Sequence, residues 1–380
     1  MADLAVRRAA RVFGWGLDGP LAVVIRDGMV ERVVSDGDLD VDLPELDAGG
    51  GAVIPGFVDA HTHLVFAGDR AGEFAARLAG RPYEAGGIMA TVEATRAAPF
   101  EVLVDETVRR AASCLAGGTT TIEVKSGYGL DVATERRLLE VVAAAGKRTP
   151  AELVPTFLGA HLAPDPSSVD LVVDEMLPAC AGLAVSCDAF CDVGALTVEQ
   201  SRRVLEAGRR HGLAPRIHAE ELAWTGGARL AAELGCLSAD HLVHATHDDA
   251  RALAAAGVVA VLLPSTSFCL RSAYAPARML LDAGVEIALA TDCNPGTSYT
   301  TSMPFVIALA CSAYGLSADE AVRAATEGSA RALGRTDIGH LRPGARGDLV
   351  VLAGEHWVDL AYHPGMPVVA AVVKEGAVVA

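Results

Sequence analysis

The sequence predicts an α/β fold: a (β/α)8 TIM-type barrel with a small β-sandwich domain formed by the N- and C-terminal segments. Two observations predict the barrel. Eight short apolar segments alternate mostly with segments of helical periodicity, and polar side chains follow nearly every apolar segment. Strand–helix alternation repeated eight times is typical of this barrel. A doubly wound open sheet is the alternative, but no Gly-x-Gly-x-x-Gly motif follows the first apolar segment.

Each apolar segment is predicted to form one barrel strand. The eight strands are expected at residues 52–59, 119–124, 152–157, 187–191, 214–217, 236–239, 258–263 and 286–290. Between them, segments such as 131–145 and 197–210 carry apolar residues at i, i+3 and i+4, which indicates helices. The second of these begins with Thr197-Val-Glu-Gln, a pattern like a capping box, and is followed by Gly212.

The flanking segments also have the pattern of strands. Residues 21–25 and 29–34 are largely apolar, and the Asp27-Gly28 pair between them is typical of a tight hairpin turn. Further strands are expected near the other end, at 348–352, 368–373 and 377–379. The simplest arrangement brings both flanks together beside the barrel, as a composite β-sandwich domain of residues 1–54 and 343–380 next to a barrel domain of residues 55–342.

Composition and charge exclude several classes of protein. With 51% hydrophobic residues, the 380-residue chain can build a large buried core. Its formal net charge of −17 argues against binding to nucleic acid or to an anionic membrane. The first residues lack the apolar core of a secretory signal, and the longest apolar run, about 252–263, is too short to span a bilayer. Because no Cys-x-x-Cys motif occurs, we expect reduced thiols and a cytoplasmic protein.

The first predicted strand leads into two histidines, His61 and His63. Side chains two apart on a strand point to the same side, so these imidazoles can form half of a transition-metal site. The alternative, a pair of ordinary polar residues at a strand end, is open for this motif alone. Active sites of such barrels lie at the C-terminal ends of the strands. Reactive side chains follow five other predicted strands: Glu123, Lys125, Tyr128, His161, His218, Glu220, Glu221, Asp240, His241, Asp292 and Asn294.

Four residues at the strand ends form a candidate ligand set for one divalent transition metal per subunit: His61, His63, His218 and Asp292. Three imidazoles and one carboxylate suit zinc or iron, and the ligand types do not choose between them. Such a metal lowers the pKa of a bound water from about 15.7 to roughly 7 and thereby supplies hydroxide at neutral pH. We therefore expect attack on a carbonyl or amidine carbon.

Candidate acid/base residues stand close to these ligands. Glu221 follows His218 by three residues and is the candidate proton shuttle, although a solvated glutamate at a helix start is the alternative. His241 could orient the water or stabilise an oxyanion, or it could be a core histidine bonded to backbone. A carbamylated Lys125 bridging two metals is disfavoured, because no further histidine pair is evident for a second ion.

The pattern of His61-Thr62-His63, His218, His241 and Asp292 resembles that of the amidohydrolase superfamily. Within it, the chain is similar to the imidazolonepropionase family over the whole barrel, in residues 55–70, 123–130, 155–161, 216–221, 239–241 and 290–298. Lys-Ser-Gly-Tyr-Gly at 125–129 and Arg70 are features of that family rather than of the superfamily. The resemblance implies hydrolysis of the cyclic amide of 4-imidazolone-5-propanoate to N-formimidoyl-L-glutamate, a step of histidine degradation.

The resemblance also assigns roles to individual residues. It implies that Arg70 holds the substrate carboxylate, to which an arginine fork is suited, and that Tyr128 donates a hydrogen bond to the same end. Glu221 and His241 match the acid/base pair, with Asp292 both a ligand and catalytic. The ring or the product's glutamyl portion would be held by His161, Glu221, Asn294, Gly296 and Thr297. A homodimer is implied as well.

Two departures and two rival functions accompany this interpretation. The loop at 81–88 is shorter than expected for the family, and Cys293 stands where an apolar side chain is expected, facing the barrel wall.

A deaminase of purines or pyrimidines would use the same ligands, but a neutral base has no carboxylate for Arg70 and Tyr128. A non-catalytic barrel is the other rival, and retention of every ligand and of the shuttle argues against it.

Overall fold

The computed structural model describes residues 2–17, 19–80, 87–162 and 166–380, the last range without the side chain of Pro166. Its first five strands precede the barrel: β1 (Leu4–Ala9), β2 (Leu21–Arg26), β3 (Met29–Ser35), β4 (Glu45–Asp47) and β5 (Val53–Pro55). The β2–β3 hairpin turns at Asp27 and Gly28, whose φ angles are +48° and +74°. Two successive positive φ angles match the tight turn that the Asp-Gly pair predicts.

Eight parallel strands form the barrel, and they neighbour one another in the order of the chain. They are β6 (Phe57–Asp59), β7 (Thr119–Lys125), β8 (Glu152–Ala160), β9 (Ser186–Cys191), β10 (Ala214–Ala219), β11 (Ser238–His241), β12 (Val259–Leu262) and β13 (Ile287–Leu289). The predicted fold class is therefore confirmed.

The chain returns to the flanking sheets after the barrel, through β14 (Leu349–Leu352), β15 (Val369–Lys374) and β16 (Ala377–Val378). One four-stranded sheet has the order β3-β2-β1-β4 and the other β16-β15-β14-β5. Both sheets supply side chains to one apolar cluster, including Val6 and Val23 from the first and Val53, Leu349 and Val373 from the second. This shared core makes the pair of sheets a small sandwich. The domain boundaries at 54/55 and 342/343 remain a prediction.

The first predicted strand, 52–59, is two strands rather than one. Residues of β5 pair with β14 in the sandwich, whereas β6 pairs with β7 in the barrel. The break lies at Gly56, where a Cβ atom would stand 2.5 Å from the Thr120 Oγ1 atom. Only glycine allows this close approach, and at this residue the chain passes from the sandwich sheet to the barrel sheet.

The barrel is closed by backbone that follows its first and last strands. The amide of Asp292 donates to the carbonyl of His61 (3.0 Å), and the amide of His63 donates to the carbonyl of Cys293 (3.0 Å). In addition, the Asp59 carboxylate accepts from the amide (3.0 Å) and the hydroxyl (2.6 Å) of Thr291. These bonds bring the two histidines after β6 against the aspartate after β13.

Helices connect the strands and cover the barrel. They are α1 (Ala71–Leu78), α2 (Ile88–Ala97), α3 (Phe100–Ala116), α4 (Val132–Gly146), α5 (Pro166–Leu171), α6 (Leu177–Cys180), α7 (Val198–Arg210), α8 (Gly227–Leu234), α9 (His247–Ala256), α10 (Pro264–Leu270), α11 (Ala277–Asp282), α12 (Met303–Tyr314), α13 (Ala318–Arg323), α14 (Ser329–Ala332) and α15 (Asp359–Tyr362). Single π-helical turns occur at Val172–Met176 and Ala324–Gly328. The capping box predicted for α7 forms between Thr197 and Gln200.

Among the described residues, no helix combines the length and the apolar character that a membrane span requires.

Candidate metal centre

Three histidines come together at the C-terminal end of the barrel. His61 and His63 follow β6, and His218 lies near the end of β10. One ring nitrogen from each lies within 4.8 Å of those of the other two, and all three residues are buried. Within the described parts of the chain, the Nε2 atoms of His61 and His218 and the Nδ1 atom of His63 have no hydrogen-bond partner. Buried ring nitrogens without partners, in three imidazoles that lie this close together, fit a bound metal ion.

The protonation of these imidazoles also suits metal binding. Burial, followed by the nearby charge of Lys125, holds the pKa of His61 well below its usual range. Burial and the neighbouring His161 do the same for the pKa of His63. Neutral imidazoles offer the lone pair that a metal requires, whereas protonated ones do not.

Asp292 stands beside the three histidines, in a backbone conformation with φ of +52°. Its Oδ1 atom lies 3.6 Å from the Nε2 atoms of both His61 and His63. The other oxygen, Oδ2, accepts a hydrogen bond from the Thr266 hydroxyl at 2.6 Å. Burial raises the pKa of Asp292 to about 6. The fourth ligand predicted from the sequence is therefore placed with one oxygen directed at the cluster.

Two buried carboxylates behind the histidines were not assigned from the sequence. Asp240 Oδ2 lies 2.6 Å from His61 Nδ1, and Asp188 Oδ1 lies 3.2 Å from His218 Nδ1. Each carboxylate fixes the ring orientation and leaves the opposite nitrogen, Nε2, directed at the cluster. The signal available in the sequence is weak: Asp188 is a single charged residue inside an otherwise apolar strand segment, and Asp240 follows a predicted strand with no partner indicated.

Lys125 balances the charge of these carboxylates. Its Nζ atom lies 2.8 Å from Glu123 Oε1, 2.6 Å from Asp188 Oδ2 and 3.7 Å from Asp240 Oδ2, and all four side chains are fully buried. Burial lowers the pKa of Lys125, but Asp188 and Glu123 outweigh it and hold that pKa above its usual value. An ammonium engaged in this way is a counter-ion to these carboxylates. Arg216 adds a second buried cation, 3.5 Å from Asp240.

Glu221 and His241 face each other across the cavity beside the metal centre. Glu221 Oε2 lies 3.6 Å from His241 Nε2, and the Glu221 side chain is only 12% exposed. The alternative of a solvated glutamate therefore does not hold. Burial, then the Asp292 carboxylate, raises the pKa of Glu221 well above its usual range. Burial lowers the pKa of His241, whose backbone has φ of +77°.

The cavity that contains these groups has about 600 Å³ of empty space, which includes its opening to solvent. It is lined by the metal-binding His63, His218 and Asp292 and by Glu221 and His241. Most residues that the family resemblance assigned to the substrate also line it: Arg70, Tyr128, His161, Asn294 and Thr297. The structure therefore brings the predicted metal and substrate residues into one site.

Arg70 is held at the cavity wall by a residue that sequence reasoning missed. Its Nε and Nη2 atoms donate to the two oxygens of Glu73, at 2.7 and 2.8 Å. Gly296 packs against the opposite side of the guanidinium, where a Cβ atom would lie 2.3 Å from Nη1. The Gly296 carbonyl accepts from Arg77 Nη2 at 2.8 Å. One edge of the Arg70 fork is thus already occupied by a protein carboxylate.

The remaining predicted substrate residues shape the wall of the cavity. The His161 ring stacks on His63, with centroids 5.2 Å apart, and its Nδ1 atom lies 3.1 Å from the Gly127 carbonyl. Asn294 Oδ1 accepts from the amides of Gly296 and Thr297, each at 2.8 Å. Asn294 therefore fixes the loop after β13.

Of the two predicted departures from the family, the structure describes the one at Cys293 but not most of the one at 81–88. Cys293 is fully buried in an apolar cluster with Leu64 and Val65, so its side chain faces away from the ligands as predicted. The shortened loop at 81–88 lies largely outside the described residues, which resume at Gly87.

Comparison with known proteins places this site in a family. The sequence pattern of the amidohydrolase family matches residues 52–379. The structure is similar to that of a 5-methylcytosine deaminase from Klebsiella pneumoniae liganded with 5-fluorocytosine, with a TM-score of 0.80 and 16% identity over 99% of this chain and 97% of the other. A mutant atrazine chlorohydrolase from Arthrobacter aurescens, complexed with zinc and atraton, gives a TM-score of 0.79 and 20% identity over 99% and 94%. The chain belongs to the amidohydrolase family.

Relatives identified by sequence place the chain in a narrower family within the amidohydrolases. The imidazolonepropionase of Halobacterium salinarum is 50% identical over 95% of this chain and 91% of its own. The imidazolonepropionase of Mycolicibacterium smegmatis is 49% identical over 94% and 90%. Within the amidohydrolases, the chain belongs to the imidazolonepropionase family, as its resemblance to that family predicts.

Proposed function

We propose that the chain hydrolyses the cyclic amide of 4-imidazolone-5-propanoate to N-formimidoyl-L-glutamate in histidine degradation. The observation that carries the proposal is one cavity lined both by His63 and His218 of the three-histidine cluster and by Arg70. The cluster fits a metal for amide hydrolysis, and the arginine fits a propionate. The bound substrate is a small molecule; nucleic acid and membrane are not partners in this proposal.

The metal in this proposal is one divalent zinc or iron ion per subunit, held by His61, His63, His218 and Asp292. The partnerless nitrogens of the cluster and the low pKa values of His61 and His63 support the assignment. Zinc is present in the structure of the atrazine chlorohydrolase, which has the same fold. Such an ion, when bound, polarises the substrate carbonyl and lowers the pKa of water to roughly 7.

The chain's own residues move the protons. In hydrolysis, the water oxygen bonds to the carbonyl carbon, the carbon–nitrogen bond of the ring breaks, and the nitrogen gains a proton. Glu221 is the proposed shuttle that takes a proton from the water and delivers it to that nitrogen. His241, 3.6 Å from Glu221, is proposed to stabilise negative charge on the carbonyl oxygen. Asp292 is proposed to accept the other proton of the water, which the product loses when its new carboxyl group ionises.

Substrate binding is proposed to centre on Arg70. The two oxygens of Glu73 accept from Nε and Nη2 of its guanidinium, at 2.7 and 2.8 Å, and hold this cation at the cavity wall, where an arginine suits a carboxylate. Tyr128 is proposed to donate a hydrogen bond to the same carboxylate. Further contacts to the ring or to the product are proposed for His161, Glu221, Asn294, Gly296 and Thr297.

The proposal extends to assembly and location: a homodimer in the cytoplasm, with the composite domain of residues 1–54 and 343–380 beside the barrel of 55–342. The dimer rests on the family resemblance. Sedimentation equilibrium tests it, since a mass near 39.1 kDa would be that of one chain.

The deciding experiment is to incubate purified protein with 4-imidazolone-5-propanoate and to follow N-formimidoyl-L-glutamate by mass spectrometry. We expect turnover that a chelator abolishes and that zinc or iron restores. Elemental analysis of protein purified without chelator identifies the resident metal. Absence of turnover together with ammonia release from a nucleobase would instead assign a deaminase.

A further inference from the structure

The loop that carries Glu221 is bound by a buried carboxylate from the neighbouring strand. Asp192 follows β9 directly and is 3% exposed. Its Oδ2 atom accepts from the amides of Glu221 (2.7 Å) and Leu222 (2.9 Å). Its Oδ1 atom accepts from the amide of Ala223 at 3.2 Å. Three successive backbone N–H groups thus converge on one side chain.

The backbone turns sharply just before Glu221, so the contact with Asp192 affects where the Glu221 side chain points. Strand β10 ends at Ala219, and Glu220 has a positive φ of +56°, so the chain turns sharply just before Glu221. Further along, the Glu220 carboxylate binds the amides of Thr225 (2.6 Å), Gly226 (3.0 Å) and Ala228 (3.1 Å). The amide of Glu221 donates to Asp192, so Asp192 fixes the backbone from which the Glu221 side chain projects.

We infer that Asp192 is a positioning residue for the proton transfer by Glu221, an inference that rests on the proposed function. An acid/base group must reach the reacting atoms within hydrogen-bond distance, and small displacements are costly. Asp192 places Glu221 by binding its backbone, and it does not itself touch the three-histidine cluster. Its loss should therefore reduce the rate of proton transfer while leaving metal binding in place.

A second loop of the same site offers a matched control. Glu135, which is fully buried, accepts from the amides of Gly127 (2.9 Å), Gly129 (2.6 Å) and Leu130 (2.9 Å). It thereby holds the loop that carries Tyr128, a proposed substrate contact. The Asp192 and Glu135 carboxylates each bind three amides of one loop, but the two loops serve different steps.

The test compares Asp192→Asn with Glu135→Gln in steady-state hydrolysis of 4-imidazolone-5-propanoate. For Asp192→Asn we expect kcat to fall on the order of 10- to 100-fold, with metal content and KM close to those of the wild type. For Glu135→Gln we expect the larger change in KM. A kcat of Asp192→Asn within about twofold of the wild type overturns the inference, and so does an effect confined to KM.

A double-mutant cycle separates positioning from general damage to the fold. If Asp192 acts through Glu221, Asp192→Asn adds little to the loss already caused by Glu221→Gln. Additive losses in kcat overturn the inference. Asp192→Ser, which keeps one short acceptor, replaces Asp192→Asn if the latter does not fold, and we expect it to show the same kcat-specific loss.

Hydrogen exchange gives a readout that does not depend on the substrate. The amides of residues 221–223 should exchange faster in Asp192→Asn than in the wild type, whereas those of 127–130 should not. Equal exchange at 221–223 in the two proteins overturns the inference even if kcat falls. If the wild type fails to turn over 4-imidazolone-5-propanoate, the proposed function fails, and the exchange experiment still decides whether Asp192 holds the loop.

Discussion

The Nδ1 atom of His61 and the Oδ2 atom of Asp240 lie 2.6 Å apart in a fully buried pair. Through this contact Asp240, in β11, fixes the ring orientation of His61, a proposed metal ligand that follows β6. It also leaves Nε2, which has no hydrogen-bond partner among the described residues, for the cluster with His63 and His218. The geometry of the metal centre therefore depends on a residue that is not itself a ligand.

Asp240→Asn is expected to weaken metal binding about 10- to 100-fold, because the ring of His61 loses a charged acceptor that orients it. Competition with a chromophoric chelator measures the change in affinity. Asp282→Asn is the control, since Asp282 is exposed at the end of α11. Unchanged affinity in Asp240→Asn would show that the pair does not govern the metal centre.

Lys125→Met is expected to destabilise the fold by roughly 3–5 kcal/mol, because it leaves buried carboxylates without their cation. Lys125 contacts Glu123 and Asp188 at hydrogen-bond distance, and neither carboxylate is exposed. Chemical denaturation, monitored with metal-free protein, gives the free energy of unfolding.

The control for this substitution is Lys147→Met, the same change at an exposed residue after α4. It should alter the free energy of unfolding by less than about 0.5 kcal/mol. If both variants unfold alike, Lys125 does not stabilise the carboxylates beneath the metal centre.

The barrel could be predicted from the sequence because each strand is an apolar segment followed by polar residues. The break within residues 52–59 could not, because Val53–Pro55 and Phe57–Asp59 form one largely apolar run in the sequence and both are buried. Their different partners, β14 and β7, come from distant parts of the chain. Local periodicity carries no information about which of two sheets a strand joins.

The groups that line the cavity could likewise be predicted, since His218, Glu221 and Asp292 stand at strand ends. The residues that support them could not. Asp188 and Asp192 gain their roles only from contacts to residues about 30 positions away. An acidic residue within or directly after an apolar strand indicates that a polar partner is buried beside it. The sequence does not say which residue that partner is.

Glu221→Gln is expected to lower kcat by roughly 10² to 10⁴, because the amide cannot exchange a proton with water or with the leaving nitrogen. The bound metal should remain, since the three-histidine cluster does not include Glu221, whose Oε2 atom lies 3.6 Å from His241 Nε2. Rapid-quench measurement of product and elemental analysis of the same sample give both quantities. Loss of the metal in this variant would assign Glu221 to the ligand set instead.

Gly296→Ala is expected to raise KM for 4-imidazolone-5-propanoate about tenfold or more with a smaller effect on kcat, through displacement of Arg70. A Cβ atom at this position would lie 2.3 Å from Arg70 Nη1 and 2.8 Å from its Cζ atom, so the guanidinium must move. Glu73 holds the other edge of Arg70, which limits the directions in which it can move. Steady-state kinetics over a range of substrate concentrations separates KM from kcat.

Gly72→Ala is the matched control, because Gly72 lies two residues from Arg70 in α1 and a Cβ atom there meets nothing within 4 Å. It should leave KM unchanged. Arg70→Ala sets the upper limit of the effect, since it removes the guanidinium altogether. If Gly296→Ala changes KM no more than Gly72→Ala while Arg70→Ala raises it strongly, the substrate carboxylate binds Arg70 in a position that tolerates the displaced guanidinium. If Arg70→Ala also leaves KM unchanged, the carboxylate is bound by another residue, and the specificity assigned to this cavity is wrong.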